Sequence, residues 1–304
     1  MLEVKNISFS YHKKTVLDSI EFNVEKGAHL SVIGESGSGK STLLKLIYGE
    51  FDLTTGSIFW NSQEILGPKH NLVIGYDFMK YVAQEFDLMP YITVEENIGK
   101  FLSNFFPKEK AERVNELLKV VELENVAKTK VQFLSGGQKQ RVALARAIAK
   151  QPEIILLDEP FSHIDNFKKQ SLRRSLFNYL KQKNITCIVA THDKNDVLPF
   201  ADKMIVLNNG KVIANNSPKA LYNNPKTPLI ASFFGEFNMI EPFGILYTHQ
   251  IKIVEKSNYK ATVKASYYNG QSYLIEVLYN NKSIFIEHSN KLEEHSSIYF
   301  KTLQ

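Results

Sequence analysis

The sequence has 304 residues, of which 43% are hydrophobic and 23% charged, and it contains 10 Pro and 15 Gly. These proportions are typical of a folded globular protein and exclude a disordered or collagen-like chain, while the length predicts two domains. The formal net charge of +5 comes from basic residues spread along the whole chain, which indicates a solvated surface and no dedicated nucleic-acid-binding patch.

Before residue 238, short apolar strands alternate with helical segments, which predicts an α/β fold with a parallel sheet. The opening segment Leu2–Tyr11 alternates apolar and polar residues, and together with Asp18–Val24 it predicts an antiparallel layer. By contrast, Leu30–Ile33, Ile154–Leu157 and Ile185–Ala190 are largely apolar without alternation. Strands buried on both faces have this pattern, so these three segments are the predicted centre of the sheet.

A glycine-rich loop follows the first of these central strands. Residues Gly34–Ser41 fit the pattern G-x-x-x-x-G-K-[ST] and lead into the helical segment Thr42–Tyr48. The glycines let successive N–H groups face one anion, and the helix that begins at Lys40 adds its partial positive charge. We expect Lys40 to reach the β and γ phosphates of a nucleotide and the Ser41 hydroxyl to bind Mg²⁺. The predicted nucleotide contacts are Gly34, Glu35, Ser36, Gly37, Ser38, Gly39, Lys40, Ser41 and Thr42.

Two helices are predicted between the strand signals that follow, over Thr93–Phe106 and Glu109–Glu122. They would form a helical insertion. After them, Leu134–Gln138 reads Leu-Ser-Gly-Gly-Gln and opens an apolar helix that runs to Ala149. Here Ser135, Gly136, Gly137 and Gln138 present N–H groups at a helix start, which predicts a second anion site like the first.

The strand Ile154–Leu157 ends in two carboxylates, Asp158 and Glu159, followed by Pro160. This is the carboxyl edge at which open α/β sheets bind ligands. Two buried charges are costly unless they are offset, and Mg²⁺ would offset Asp158. Glu159 is placed to orient or deprotonate a water in line with the γ phosphate, so it is the predicted general base.

The last part of the chain has a different composition. From Asn238 onward it contains neither Arg nor Asp, yet it holds half of the 14 Tyr residues. Short strand patterns separated by turn signals predict a small all-β barrel. We predict a boundary between 1–234 and 235–304, after a linker in which two prolines would interrupt helix. The predicted strands are Gly244–Val254, Lys260–Ser266, Tyr273–Tyr279, Ser283–Glu287 and Ser297–Leu303.

The segment Leu134–Gln138, placed between the glycine-rich loop and Asp158, resembles the signature of ABC-type ATPases. The resemblance implies a P-loop NTPase fold of ABC type with antiparallel β and helical subdomains, which hydrolyses ATP with Mg²⁺. In that family the signature serves the nucleotide of the other subunit, so a head-to-tail dimer with two sandwiched ATP molecules is implied. Four further positions match the family: Tyr11 as the adenine-stacking aromatic, Gln84 at Mg²⁺ and the attacking water, His192 at the γ phosphate, and Asp165 in the loop that crosses the dimer interface.

Further segments resemble the spermidine/putrescine, ferric iron and sulfate import ATPases in particular. These are Leu88–Ile98, Tyr222–Pro225, Phe233–Glu236 and Asn238–Met239. Those relatives carry a C-terminal OB-like domain of the TOBE type, of which the present chain has room for one barrel unit. The chain departs from the family at His163 and Ile164, where Ala and Leu are usual, and it retains Asp165.

The predicted function is therefore the ATP-hydrolysing, energy-coupling subunit of an ABC importer for polyamine, ferric iron, sulfate or a similar solute. Its implied partners are a second copy of itself, integral membrane permease subunits and an extracytoplasmic solute-binding protein, without nucleic acid. Two alternatives stay open: the ATPase of an ABC exporter, which shares the core motifs, and a soluble ABC ATPase that acts on DNA or the ribosome.

The same sequence features predict where the chain works. No apolar stretch reaches the roughly 18 residues that a membrane span needs, and the start lacks the pattern of a secretory signal. A single cysteine, Cys187, fits a reducing compartment. We expect a peripheral protein at the cytoplasmic face of the cell membrane.

Overall fold

The computed structural model of the protein describes residues 1–12 and 14–303. It divides into two compact units, Met1–Pro218 and Lys219–Gln304, which are described separately below. No helix among the described residues combines the length and the apolar character needed to cross a membrane.

Among the residues that the structure describes, the first unit has ten strands and six α-helices. The strands are β1 (Leu2–Tyr11), β2 (Lys14–Val24), β3 (His29–Ile33), β4 (Thr55–Trp60), β5 (Gln63–Glu64), β6 (Met79–Val82), β7 (Ile154–Asp158), β8 (Thr186–Ala190), β9 (Lys203–Asn208) and β10 (Lys211–Asn216). The helices are α1 (Lys40–Tyr48), α2 (Val94–Ile98), α3 (Pro107–Val120), α4 (Gly136–Ile148), α5 (Asn166–Gln182) and α6 (Lys194–Val197).

The strands form two sheets. A four-stranded antiparallel sheet has the order β2-β1-β4-β5, and a six-stranded sheet has the order β10-β9-β3-β8-β7-β6. In the larger sheet all neighbours are parallel except β9 and β10. Every residue of β3, β7 and β8 is buried, as the unbroken apolar runs predict. The α/β class with an antiparallel β layer is thus confirmed.

Successive residues of β7 point into different cores, because side chains alternate between the faces of a sheet. Ile154 and Leu156 join a core that includes α1 and the antiparallel sheet, whereas Ile155 and Leu157 join a core that includes α4 and α5. The six-stranded sheet is therefore a layer between two packed faces. The carboxyl ends of its parallel strands lie at one edge, where the site described below is built.

The helical insertion differs from the prediction in its first helix. Helix α2 begins after Thr93, whose hydroxyl and the Glu96 carboxylate form a capping box, but it ends at Ile98 with Gly99 as its C-cap. A new helix, α3, starts at Pro107, which occupies its first turn. The predicted helix to Phe106 is therefore too long, because glycine favours a helix end and proline a new beginning.

The described part of the second unit, which ends at residue 303, has two short α-helices and seven strands. Strands β11 and β12 pair with each other, and the rest form an antiparallel sheet of order β13-β17-β14-β15-β16, whose edge strands β13 and β16 contact one another. Because its two edge strands also contact each other, the five-stranded sheet curves back on itself, which agrees with the predicted small all-β domain. The elements are α7 (Pro218–Asn223), α8 (Pro228–Phe234), β11 (Phe237–Ile240), β12 (Gly244–Tyr247), β13 (Ile251–Val254), β14 (Tyr259–Tyr268), β15 (Tyr273–Tyr279), β16 (Lys282–His288) and β17 (Ser297–Thr302).

The second unit begins before the predicted boundary after residue 234. The reason is that the ring of Tyr222 on α7 stacks on Tyr247 of β12 at a centroid distance of 4.8 Å, and α8 also contacts β12. The predicted linker is wrong in one respect, since Pro228 starts α8 instead of interrupting helix. Proline is well suited to a first helical turn, where its missing N–H costs nothing.

Candidate functional site

The glycine-rich loop connects the end of β3 to the start of α1. Its last residue, Gly39, is the N-cap of α1, with a left-handed φ of 105° and no side-chain cap. The N–H groups of the first turn are therefore left for another acceptor. At Gly34 an added Cβ would lie 2.3 Å from the Leu207 carbonyl oxygen, so no other residue fits there. The loop has the open N–H groups and the glycine cradle that an anion requires.

Lys40 lies across this loop. Its Nζ donates to the carbonyl oxygens of Gly34 at 2.8 Å and Glu35 at 3.0 Å. Burial lowers the pKa of the ammonium group, while the charges of Glu159 and Asp158 act in the opposite direction. The Lys40 ammonium group is thus hydrogen-bonded to carbonyls of its own loop, and it interacts electrostatically with both carboxylates.

Asp158 is the last residue of β7, and only 6% of it is exposed. Its Oδ2 accepts a hydrogen bond of 3.1 Å from the hydroxyl of Tyr81, on the neighbouring strand β6. A buried carboxylate of this kind needs donors or a cation, because an isolated buried charge is costly.

Glu159 has a left-handed backbone, with φ of 48°. This conformation costs a non-glycine residue about 1–3 kcal/mol and persists only where its surroundings enforce it. Its N–H donates to the Ala190 carbonyl at 2.9 Å, and its own carbonyl accepts from Gln140 at 3.0 Å. The side chain is thereby aimed at His192, whose Nδ1 lies 2.8 Å from Oε1, while 74% of the His192 side chain is exposed.

These groups line one cavity, of about 690 Å³, which we call the nucleotide cavity. It brings together most of the glycine-rich loop with both carboxylates, Gln84 and His192. Val16 and Ser162 line it as well, without a sequence signal. The full lining is Val16, Gly34, Glu35, Ser36, Gly37, Gly39, Lys40, Ser41, Thr42, Gln84, Asp158, Glu159, Ser162 and His192.

Other predicted residues lie outside the cavity lining. Ser38 lies in the loop, but its buried Oγ has no hydrogen-bond partner among the described residues. Tyr11 contacts the rings of Phe9 and Phe51 edge-on, and Asp165 is the N-cap residue of α5. The signature residues are also absent from this lining. The nucleotide roles of all these residues stay predictions.

The signature segment starts α4 with a capping box. The Ser135 Oγ accepts from the Gln138 N–H at 3.3 Å, and the Gln138 Oε1 accepts from the Ser135 N–H at 2.9 Å. Gly137 approaches the loop 162–165 so closely that an added Cβ would lie 2.7 Å from the His163 carbonyl oxygen. The signature and this loop are therefore packed directly on each other.

The buried side chain of Gln140 stabilises the contact between the signature segment and the loop 162–165. Besides its bond to the Glu159 carbonyl, its Oε1 accepts from the His163 N–H at 3.1 Å, and its side chain is almost fully buried. Sequence reasoning missed this residue, because a polar side chain on an apolar helix gives no indication of which distant backbone groups it will bind. The Gln140 side-chain amide thus links α4 to the backbone that follows β7.

A second missed group holds the segment around His192. The buried guanidinium of Arg173 on α5 donates to Asp196 at 2.5 Å and to Asp193, and the Thr191 hydroxyl donates to Asp196 at 2.6 Å. The residues on both sides of His192 are thus fixed by one buried network. Its partners come from different elements, so the sequence carries no spacing that would reveal them.

The donor set fits a hard cation. In the described ranges 1–12 and 14–303, no group of three or more His, Cys, Asp and Glu side chains is arranged to hold a metal. The cavity instead offers the Ser41 hydroxyl, the Gln84 carboxamide and the Asp158 carboxylate. These oxygen donors, few in number, suit Mg²⁺ that arrives with a phosphate ligand of its own.

Comparisons with known proteins show the family to which the chain belongs. A family model described as ABC transporter matches residues 17–162. The chain is 39% identical over 242 residues to the Fe(3+) ions import ATP-binding protein FbpC 2 of Pectobacterium atrosepticum, covering 78% of this chain and 68% of that protein. It is 35% identical over 266 residues to the spermidine/putrescine import ATP-binding protein PotA of Haemophilus ducreyi, covering 87% and 69%.

Solved structures resemble the chain as well. One is a dimeric ATP-binding cassette in a post-hydrolysis state bound to ADP and Pi, with TM-score 0.63 and 30% identity over 71% of this chain and 98% of that one. Another is cbiO1 from Clostridium perfringens, part of an ABC transporter complex, with TM-score 0.65 and 26% identity over 77% and 98%. The predicted family is confirmed: the chain belongs to the ABC transporter family, among its ATP-binding proteins, and it is an ATPase.

Proposed function

We propose that the chain is the ATP-hydrolysing, energy-coupling subunit of an ABC importer. The observation that carries the proposal is the nucleotide cavity, in which the glycine-rich loop faces Asp158, Glu159, Gln84 and His192. An anion cradle opposite a carboxylate that is oriented by a histidine is an arrangement for phosphoryl transfer to water.

Within the cavity each residue has a proposed role. The loop N–H groups bind the phosphates, and Lys40 leaves the carbonyls of its own loop to contact the β and γ phosphates. Ser41, Gln84 and Asp158 would hold Mg²⁺, which, when bound, neutralises phosphate charge. Glu159 accepts the proton of the attacking water. In the proposed reaction His192 keeps the Glu159 carboxylate in place through Nδ1 and contacts the γ phosphate. Tyr11 is the proposed adenine contact.

The cavity is completed, in this proposal, by a second copy of the chain. The signature residues Ser135–Gln138 form a helix N-terminus with the same physical preference for an anion as the glycine-rich loop, yet they do not line the chain's own cavity. We propose that they close on the nucleotide of a partner subunit, with Asp165 at the interface. The dimeric state of the similar cassette supports this arrangement.

The importer assignment is supported by the relatives, which are named as iron and polyamine import ATP-binding proteins. We propose the same class of solutes here, together with a membrane permease and an extracytoplasmic solute-binding protein. The permease would dock on the segment after Gln84 and on the helical insertion, where Tyr91, Phe101 and Phe105 are exposed apolar side chains. The protein would then be peripheral, at the cytoplasmic face of the membrane, with the C-terminal unit as an OB-like domain.

The test combines hydrolysis with capture of partners. Glu159→Gln should abolish ATP hydrolysis and keep ATP binding, because it removes the proton acceptor and preserves the shape of the side chain. The matched control is Glu153→Gln, next to the other end of the same strand, where the carboxylate binds Lys26 and Trp60 outside the cavity. Full hydrolysis by Glu159→Gln would contradict the assigned role.

The tagged Glu159→Gln protein, expressed in its native host and trapped with ATP, should co-purify from gently solubilised membranes with a multi-span permease. Mass spectrometry identifies the chains. A solute-binding protein in the same fraction would support import and narrow the solute. Recovery of ribosomal or DNA-bound partners without a permease would overturn the transporter assignment and leave the ATPase.

A further inference from the structure

We propose that Tyr81 is a positioning residue that holds the Asp158 carboxylate in the orientation required for Mg²⁺ binding. The inference rests on the proposed role of Asp158 and adds a residue of this chain to it. The phenol would act through Asp158 and would not touch the nucleotide itself.

The strand register brings the two residues together. Tyr81 on β6 is paired with Leu156 on the parallel strand β7, two positions before Asp158. Because side chains alternate along a strand, Leu156 and Asp158 share one face, and Tyr81 points to that face as well. The phenol ring spans the remaining distance along the strand, and its hydroxyl donates to Asp158 Oδ2 at 3.1 Å.

This bond leaves one carboxylate oxygen for a cation. Oδ2 is occupied by Tyr81, whereas Oδ1 accepts no hydrogen bond from the residues that the structure describes. A tyrosine phenol carries its proton at neutral pH, so the Tyr81 hydroxyl acts as the donor in this bond. A donor fixed on one oxygen sets the rotation of a carboxylate, which is how groups behind a metal ligand tune metal affinity.

The ring that carries the hydroxyl is itself held in place. Tyr48 on α1 packs on it at a centroid distance of 5.6 Å, and both rings line a cavity of about 340 Å³ that also contacts Phe86 and Phe101. This cavity is separate from the nucleotide cavity, and Tyr81 forms part of its wall. The hydroxyl can therefore be removed without exposing the glycine-rich loop.

The experiment measures how much Mg²⁺ tightens nucleotide binding, with no reading of hydrolysis. A fluorescent, non-hydrolysable ATP analogue is titrated with excess Mg²⁺ and again with EDTA, for wild type, Tyr81→Phe, Tyr48→Phe and Asp158→Asn. Thermal unfolding by circular dichroism checks that each variant is folded. Tyr48→Phe is the matched control, since it removes a phenol from the same wall that donates no bond to Asp158.

Tyr81→Phe should weaken binding about tenfold or more with Mg²⁺ and leave binding in EDTA unchanged, as expected for loss of a group that orients a metal ligand. Tyr48→Phe should resemble wild type in both conditions. If Asp158→Asn loses the Mg²⁺-dependent tightening while Tyr81→Phe keeps it, the positioning role is wrong. The positioning role is also wrong if Tyr81→Phe weakens binding equally in EDTA. If Asp158→Asn itself keeps the tightening, the proposed metal role of Asp158 fails, and the inference falls with it.

Discussion

The buried ring of His29 should make the first unit sensitive to mild acid. His29 lies at the start of β3 with 2% of its surface exposed, and neither ring nitrogen has a hydrogen-bond partner among the described residues. Burial lowers its pKa from 6.5 to about 4, and the Lys181 charge acts in the same direction. The Asp202 carboxylate and the carbonyls of Ile185 and Phe200 favour the charged ring, but burial outweighs them.

The sign follows from proton binding. Between the folded pKa of about 4 and the unfolded value of 6.5, the unfolded chain binds the proton and the folded chain does not. The contribution of the neutral His29 ring to the free energy of unfolding is therefore fully present above about pH 6.5. It declines as the pH falls from there toward about 4. A shift of this size is worth about 3 kcal/mol in total, of which about 2 kcal/mol is lost between roughly pH 7.5 and pH 5.

The comparison variant is His29→Phe, which keeps a ring beside Phe177 and removes the titrating group. Urea unfolding near pH 7.5 and near pH 5 can be followed by the fluorescence of Trp60, the single tryptophan, which is buried in a core of the same unit. Wild type should lose about 2 kcal/mol more than His29→Phe over this interval, since the other titrating groups are common to both. Equal losses in the two proteins would refute the reasoning.

Three further substitutions probe the contacts around the site and in the second unit. Gly137→Ala should lower ATP hydrolysis about tenfold or more, because the new Cβ would meet the His163 carbonyl oxygen at 2.7 Å and displace the loop 162–165, whose Ser162 lines the nucleotide cavity. Arg173→Met should cost about 3–5 kcal/mol in urea unfolding, because it leaves the buried Asp196 carboxylate without its cation. Asn238→Ala should destabilise the second unit by about 1–3 kcal/mol, measured by amide exchange, since its buried amide donates to and accepts from the β16 backbone.

For each of these three substitutions, a specific result would contradict the prediction. The exposed neighbour Arg174→Met is the matched control for Arg173, and equal stability of the two variants would contradict the buried network. Full hydrolysis by Gly137→Ala would show that the loop 162–165 yields without effect on the site. Unchanged exchange in β16 of Asn238→Ala would mean that water replaces the amide there.

The sequence predicts the parts of the fold and site whose physics is local. The phosphate loop could be found because its glycines, its lysine and the following helix are consecutive, and the central strands because burial on both faces leaves an unbroken apolar run. Asp158 and Glu159 could be found because they end such a strand. The family resemblance added His192 and Gln84, which have weak signals alone.

The remainder depends on contacts between distant segments. Gln140, Arg173 and Tyr81 are polar side chains whose partners lie on other strands, helices or loops, so no spacing in the sequence marks them. The sequence pattern overestimates the length of α2, because it stays helical as far as Phe106. In the structure α2 ends at Ile98, before Gly99, and a new helix starts at Pro107. The predicted boundary near residue 234 differs from the structure for a similar reason, since the stacking of the Tyr222 ring on β12 is a tertiary contact.

That stacking also determines where the chain can be divided. A fragment that ends at residue 234 would keep α7 and α8 but lose β12, and the buried side chains Ile230, Ala231 and Phe234 would lose the strand that α8 contacts. Such a fragment should aggregate, whereas one that ends at Pro218 carries no orphaned helix. The segment that could be transferred to another protein is likewise the whole second unit, in which α7 and α8 precede the β-strands. An insertion or exchange between related proteins would keep both units intact where they join, at the start of α7.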